Sequence, residues 1–271
     1  MSERTRRVVL CALAALPSLS LGGLLLCPHR SACLGALTQV SVWAATGART
    51  GLPLLALSLL AWAGRAGWLA LRAGRVVAAL PTAPVVPATL GVALARTGAR
   101  RVVCVSSDAP IAFCAGALRP RVVVSAGLVE RLSPEQLDAV LVHEQDHARR
   151  REPVLRAARQ AAAETLFYVP LVRWWSQRQA ARAELRADRA AIERVGAGPV
   201  AGALLALDSA GGLGGSAAFT GVGPLRVAQV LGDPVPRDAP QLTLIGISVL
   251  GPYAAFIAAS CVIQFVLYVL R

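Results

Sequence analysis

The sequence has no lysine and no asparagine, so its 28 basic residues are all arginine, set against 15 acids. Histidine is scarce, with three copies, and aromatic residues make up only 5%. These shortages narrow the reading. A net charge of +13 raises nucleic-acid binding as a question. No basic stretch is interleaved with aromatics, however, and direct nucleic-acid binding is not expected. The six cysteines build no zinc cluster. Cys11 and Cys261 fall in apolar runs as small fillers. Cys104 and Cys114 flank a turn and are expected reduced. Cys27 and Cys33 are near enough in sequence to pair, which spacing does not decide. The alanine-rich, lysine-free composition is that of a GC-rich bacterial genome.

What is abundant is apolar. Mean hydropathy is +0.57, and the combination with arginine fits a membrane protein whose cations face the cytoplasm and anionic headgroups. A span needs about 20 mainly apolar residues. Three segments meet that length: 8–27, 51–71 and 242–270. The second contains Arg65, an expensive residue in a span unless it reaches headgroups or faces protein. Arginines crowd the N-terminus and the region from Arg72 to Gln241. The positive-inside rule therefore places the N-terminus and the large middle region in the cytoplasm, in a bacterial inner membrane. The expected organisation is an N-terminal transmembrane hairpin (1–75), a catalytic domain (76–241) and a C-terminal transmembrane helix (242–271). The fold class is a mainly α membrane protein, its transmembrane helices flanking a zincin-like, mostly helical α+β domain.

Two of the three histidines stand in His143-Glu144-Gln145-Asp146-His147, the H-E-x-x-H form. On a helix the two imidazoles lie on one face about one turn apart, where both can bind one Zn²⁺. Glu144 stands beside them, placed to take a proton from an activated water. The local sequence predicts that helix. Ser133-Pro134-Glu135-Gln136 has the form of a capping box with proline at the first helical position. Leu137, Val140 and Leu141 recur at helical spacing, and Pro153 marks the expected stop. An ordinary amphipathic helix can carry the same pentapeptide by chance.

A catalytic zinc site takes a third protein ligand and keeps one position open. Ala-Glu-Leu-Arg-Ala-Asp-Arg, residues 183–189, offers Glu184 as that ligand. Asp188, four residues on, lies on the same face and can hold a ring N–H of a ligand histidine. A solvated charged helix would look similar, since Arg182, Arg186 and Arg189 alternate with these acids.

The pair H-E-x-x-H and E-x-x-x-D resembles the gluzincin membrane peptidases. The run HEQDHARRREP, His143 to Pro153, and the lead-in from Phe113 to Leu128 are similar to the BlaR/MecR-like antirepressor metallopeptidases. The HtpX/Ste24-like membrane peptidases are the other branch that fits. The resemblance covers roughly residues 88–195. It implies a zinc metalloendopeptidase whose substrate is a protein: a cytoplasmic winged-helix transcriptional repressor in the first branch, a damaged or precursor membrane protein in the second. A non-catalytic zinc-binding scaffold is the reading of another class. Gln145 and Asp146 depart from the family's apolar or small residues, and Glu152 replaces its aspartate. The antibiotic receptors of the first branch carry an extracellular sensor beyond the position of Arg271, so β-lactam sensing is not expected. Arg226 resembles a position where related peptidases place a substrate-facing arginine. With Tyr168 it is a candidate to stabilise a developing oxyanion. His29 falls in the expected external loop and cannot serve.

Around these motifs, 90–101 reads as a short helix or turn, and 101–106 and 121–125 as strands. By the same resemblance, the 121–125 strand can align an extended substrate along its edge; an ordinary core strand fits equally. The segment 161–175, broken by Pro170, fits a membrane dip or a core helix, and the Gly-rich 209–223 fits a linker.

Overall fold

The two valine-rich runs predicted as strands form them, and a third strand joins them. β1 (Val102–Val105), β2 (Ala112–Ala115) and β3 (Arg121–Ser125) make a sheet in the order β1-β3-β2. β3 runs parallel to β1, with Val123 opposite Val103, and antiparallel to β2, with Val123 opposite Phe113. Val122, Val123 and Val124 are fully buried. Of the two readings of residues 121–125, a substrate-aligning edge and a core strand, the structure has the second: β3 is the central strand, hydrogen-bonded on both sides. Past β1, Thr82 bridges to Val105 and covers part of that side. β2 is left as the edge.

The computed structural model describes residues 30–209, 219–234 and 239–253. The chain divides into two units, Met1–Leu60 and Ala61–Arg271. Helix α1 (Arg30–Ala78) supplies all that is described of the first unit, where Leu57 and Leu60 are 63% and 70% exposed. Among the described residues no helix is long and apolar enough to cross a membrane. The expected span 51–71 lies within α1 and finds no support there. The span 8–27, the stretch of 242–270 beyond residue 253, and Cys27 lie outside the described residues.

In the second unit, α2 (Ala88–Thr97), α3 (Ala126–Arg131) and α4 (Pro134–Arg149) pack on the sheet. Leu90, Val122, Val124, Leu128, Leu137 and Leu141 form the shared core. Burying a side chain of this size stabilises by about 1.5–3 kcal/mol. Ser125 ties strand to helix. Its hydroxyl accepts from Leu128 N at 3.1 Å and Ile111 N at 2.9 Å, and donates to Ala109 O at 2.6 Å. Gly127 lets the loop before β2 approach closely, since a Cβ there would lie 2.2 Å from Asp108 O.

The predicted capping box is present: Ser133 accepts from Gln136 N, and Gln136 Oε1 accepts from Ser133 N at 3.0 Å. Buried Asp138 takes two hydrogen bonds from Arg96, fastening α2 to α4. Pro153 does not stop α4. That helix ends at Arg149, Arg151 takes a left-handed turn (φ 53°), and Pro153 lies in the first turn of α5 (Glu152–Thr165). Pro170 likewise starts α6 (Pro170–Val195), so 161–175 is the junction of two helices. α7 (Ala197–Ser209) and α8 (Phe219–Leu231) follow, so helix reaches into the expected linker. Residues 242–253 are helical. Cys104 and Cys114 are free thiols.

Candidate metal centre

Helix spacing puts His143 and His147 on one face of α4, and α6 crosses opposite them with Glu184 and Asp188. His143 Nε2 and His147 Nε2 are 3.1 Å apart. Glu184 Oε2 lies 3.5 Å from His143 Nε2, and Oε1 lies 3.8 Å from His147 Nε2. A tetrahedral ion with bonds near 2.0–2.1 Å separates its ligand atoms by about 3.3 Å. The three side chains fit such an ion, and they form a group able to hold a metal.

The surroundings orient the ligands. His143 Nδ1 donates to Asp188 Oδ1 at 2.9 Å, which leaves Nε2 as the metal-facing nitrogen. Asp188 is fully buried and is held in turn by Arg226, through Nε–Oδ2 and Nη2–Oδ1 bonds of 2.6 Å each. Arg226 Nη1 also lies 3.5 Å from Glu184 Oε2. Among the described residues, His147 Nδ1 is buried with no hydrogen-bond partner, so the two histidines are supported unequally.

Charge follows this packing. Burial pushes the His143 imidazole down, but the hydrogen bonds to Asp188 and Glu184 outweigh it and raise His143 to about 9. Burial and the neighbouring His143 charge lower His147 to about 3. Burial alone would raise Glu184; the His143 hydrogen bond and the adjacent cations hold its carboxyl well below the usual range. Glu144 goes the other way, raised chiefly by burial, which suits a group that must accept and return a proton.

A cavity of about 830 Å³ opens over these residues. Glu144, His143, His147 and Glu184 line it, together with residues 69–77 of α1, β2 and the following turn, and the start of α5. Edge strand β2 therefore borders the site, and among the described residues no strand pairs with its outer side.

Residues 88–207 match the model of peptidase family M48. The match supports a metallopeptidase domain, and the His143, His147 and Glu184 cluster lies within it. No curated protein and no solved structure gives a significant match to the chain.

Against the sequence reading, the structure brings His143, Glu144, His147, Glu184 and Asp188 together. Arg226 joins them in a different role: its guanidinium is engaged by Asp188 and Glu184, and it is 5% exposed rather than offered to substrate. Tyr168 lies elsewhere. It sits in the turn between α5 and α6, 46% exposed against Phe167, and is not among the cavity's lining residues. The unusual Asp146 brings no stray charge to the metal, because Arg150 (3.1 Å) and Arg186 (3.2 Å) pair with it. Gln145 accepts from Arg100 N at 2.7 Å. Buried Glu152 pairs with Arg159 and lies 3.5 Å from Arg186. Sequence reasoning missed β2 and the cavity residue Arg156. The only hint of β2 was Phe113 in a short run between turn residues.

Proposed function

We propose that the chain is a membrane-integrated zinc metalloendopeptidase with its catalytic domain in the cytoplasm. One observation carries the catalytic part: three ligand-type side chains, whose ligand atoms lie within 4.8 Å of one another, sit beside Glu144 in a cavity bordered by edge strand β2. His143, His147 and Glu184 would hold Zn²⁺, which supplies Lewis acidity toward a peptide carbonyl. The chain's own groups do the rest. β2 lays the substrate backbone across the cavity by strand addition. The Glu144 carboxylate takes a proton from the attacking water and passes it to the nitrogen of the leaving amine. Asp188 fixes the ring of His143, and Arg226 fixes Asp188.

The membrane part rests on the apolar segments, the arginine distribution and the exposed leucines of α1. The substrate class is a protein, and by sequence resemblance we favour a cytoplasmic transcriptional repressor over a membrane protein undergoing quality control. Comparing the proteomes of cells that express the wild-type chain or Glu144→Gln tests the reading. A repressor-sized protein should be cleaved only with the wild type. Identical proteomes, with zinc bound to both chains, would leave the non-catalytic scaffold in its place. Leu118, 87% exposed in the catalytic domain, tests location. A Leu118→Cys thiol should react with an impermeant reagent only after the cells are opened.

A further inference from the structure

The four buried or half-buried acids around the cavity have assigned partners. Glu152 pairs with Arg159 and Arg186, and Asp188 with His143 and Arg226. Glu184 faces both histidines and Arg226, and Glu144 is the proposed base. The cations divide differently. Arg226 is enclosed, its side chain 6% exposed. Arg156, on α5, also lines the cavity, but its side chain is 54% exposed, with Nη2 3.6 Å from Glu184 Oε1. That contact is longer than a hydrogen bond, and just over half of the side chain is open to solvent. Arg72, from α1, lines the same cavity, its guanidinium 5.1 Å from the Trp68 ring; among the described residues no carboxylate pairs with it. The remainder of the wall is largely apolar or small: Leu69, Val76, Phe113, Ala115, Pro153 and Ala157. A ligand entering here meets the metal-type residues on one side and, next to them, a half-exposed planar cation held only by a long contact to Glu184.

Resting on the peptidase reading, we propose that Arg156 is a specificity residue that binds a substrate carboxylate beside the scissile bond. The guanidinium takes a carboxylate through two parallel N–H···O bonds, a geometry an ammonium cannot reproduce. Glu144 and Glu184 lie close enough that an unpaired basic substrate group at the same point would be drawn to them instead; Arg156 blocks that by like-charge repulsion. Arg72 adds positive potential in the same cavity. The carboxylate can come from an Asp or Glu side chain within a chain, or from a substrate's C-terminus.

The test uses the purified full-length chain and a synthetic library of ten-residue peptides, each made with free and amidated C-termini. Cleavage sites are read by mass spectrometry, and zinc content is measured for every variant. Wild type should cut next to Asp or Glu, or next to a free C-terminus. Arg156→Ala should lose at least tenfold of that preference while retaining zinc, Arg156→Lys should recover part of it, and Arg156→Glu should shift cutting toward Lys and Arg. Loss of cleavage on amidation would assign the carboxylate to the C-terminus; indifference to amidation would assign it to a side chain. Binding is read separately, by anisotropy of fluorescein-labelled acidic and neutral library peptides on the Glu144→Gln chain. The acidic peptide should bind at least tenfold tighter, and adding Arg156→Ala should erase the difference. Equal binding of both peptides, or an unchanged preference in Arg156→Glu, overturns the inference. Acid-selective binding that depends on Arg156, with no cleavage by wild type, keeps the inference and overturns the peptidase reading.

Discussion

Arg226 clasps Asp188 through two hydrogen bonds of 2.6 Å, Nε to Oδ2 and Nη2 to Oδ1, with both side chains out of solvent. The same Oδ1 accepts from His143 Nδ1 at 2.9 Å. A residue on α8 thus sets the ring of a metal-type histidine on α4 through a carboxylate on α6. Removing one partner of a buried pair leaves an uncompensated charge, at about 3–5 kcal/mol. Arg226→Met should therefore lower stability by that order in chemical unfolding of the full chain. Arg226→Met with Asp188→Asn should recover part of the loss, since a neutral amide replaces the stranded charge. Additive losses would show that the two residues act independently.

Metal binding follows a graded order. His143→Ala, His147→Ala and Glu184→Ala should each abolish stoichiometric zinc, about one ion per wild-type chain, in elemental analysis of the purified protein. Asp188→Asn should weaken zinc roughly 10- to 100-fold without abolishing it, because it disturbs orientation rather than removing a ligand atom. Full occupancy in the Glu184 variant would remove that residue from the metal.

Much of this centre was legible because its chemistry is periodic. His143 and His147, and again Glu184 and Asp188, lie four residues apart, and one helical turn converts that spacing into a shared face. The capping box at Ser133 was legible for the same local reason. What failed was non-local. Which of two strands takes the centre of a sheet depends on what packs beside each, so the valine run 121–125 announced a strand and concealed that it is enclosed. β2, with Ala112, Cys114 and Ala115 in four positions, carried too little β-propensity to be seen. Arg226 was singled out for a substrate-facing role, yet its partner Asp188 lies 38 residues away, and no spacing rule reveals whether a guanidinium faces substrate or an acid. Arg156 was one arginine among 28, distinguished only by where α5 places it. Tyr168 was chosen because tyrosines are few, and scarcity says nothing of position.

Glu144→Gln should keep zinc and the fold while losing proteolysis, because an amide cannot accept the water's proton. Elemental analysis and unfolding measurements check the first half, and cleavage of a protein substrate the second. Wild-type turnover in this variant would remove Glu144 as the base.

Gly127 tests the packing that presents β2. Its N–H donates to Ser107 O at 2.9 Å, and a Cβ would strike the Asp108 backbone. Backbone cannot rotate away as a side chain can, so Gly127→Ala should destabilise by about 1–3 kcal/mol. An unchanged unfolding midpoint would mean that the loop from Ser107 to Asp108 shifts freely.

The charge state of the two histidines sets how metal binding depends on pH. In the metal-free chain His143 is raised to about 9, against burial, by Asp188 and Glu184, while His147 is lowered to about 3 by burial and by His143. At pH 7 His143 therefore carries a proton and His147 does not. A ligand nitrogen must be unprotonated, so taking up zinc at pH 7 should release about one proton from this pair. The release should fall toward zero above pH 9, where His143 is already neutral, and apparent affinity should rise with pH up to that point. The contribution of His143 to the stability of the metal-free fold has the opposite dependence. A group raised in the folded state contributes stability that is complete below its ordinary value of 6.5 and is lost as pH rises through about 9. Calorimetric zinc titrations in buffers of different ionisation enthalpy count the protons directly. Zero release at pH 7 would mean that His143 is neutral before the metal arrives. Two would mean that His147 is protonated as well, in spite of its burial.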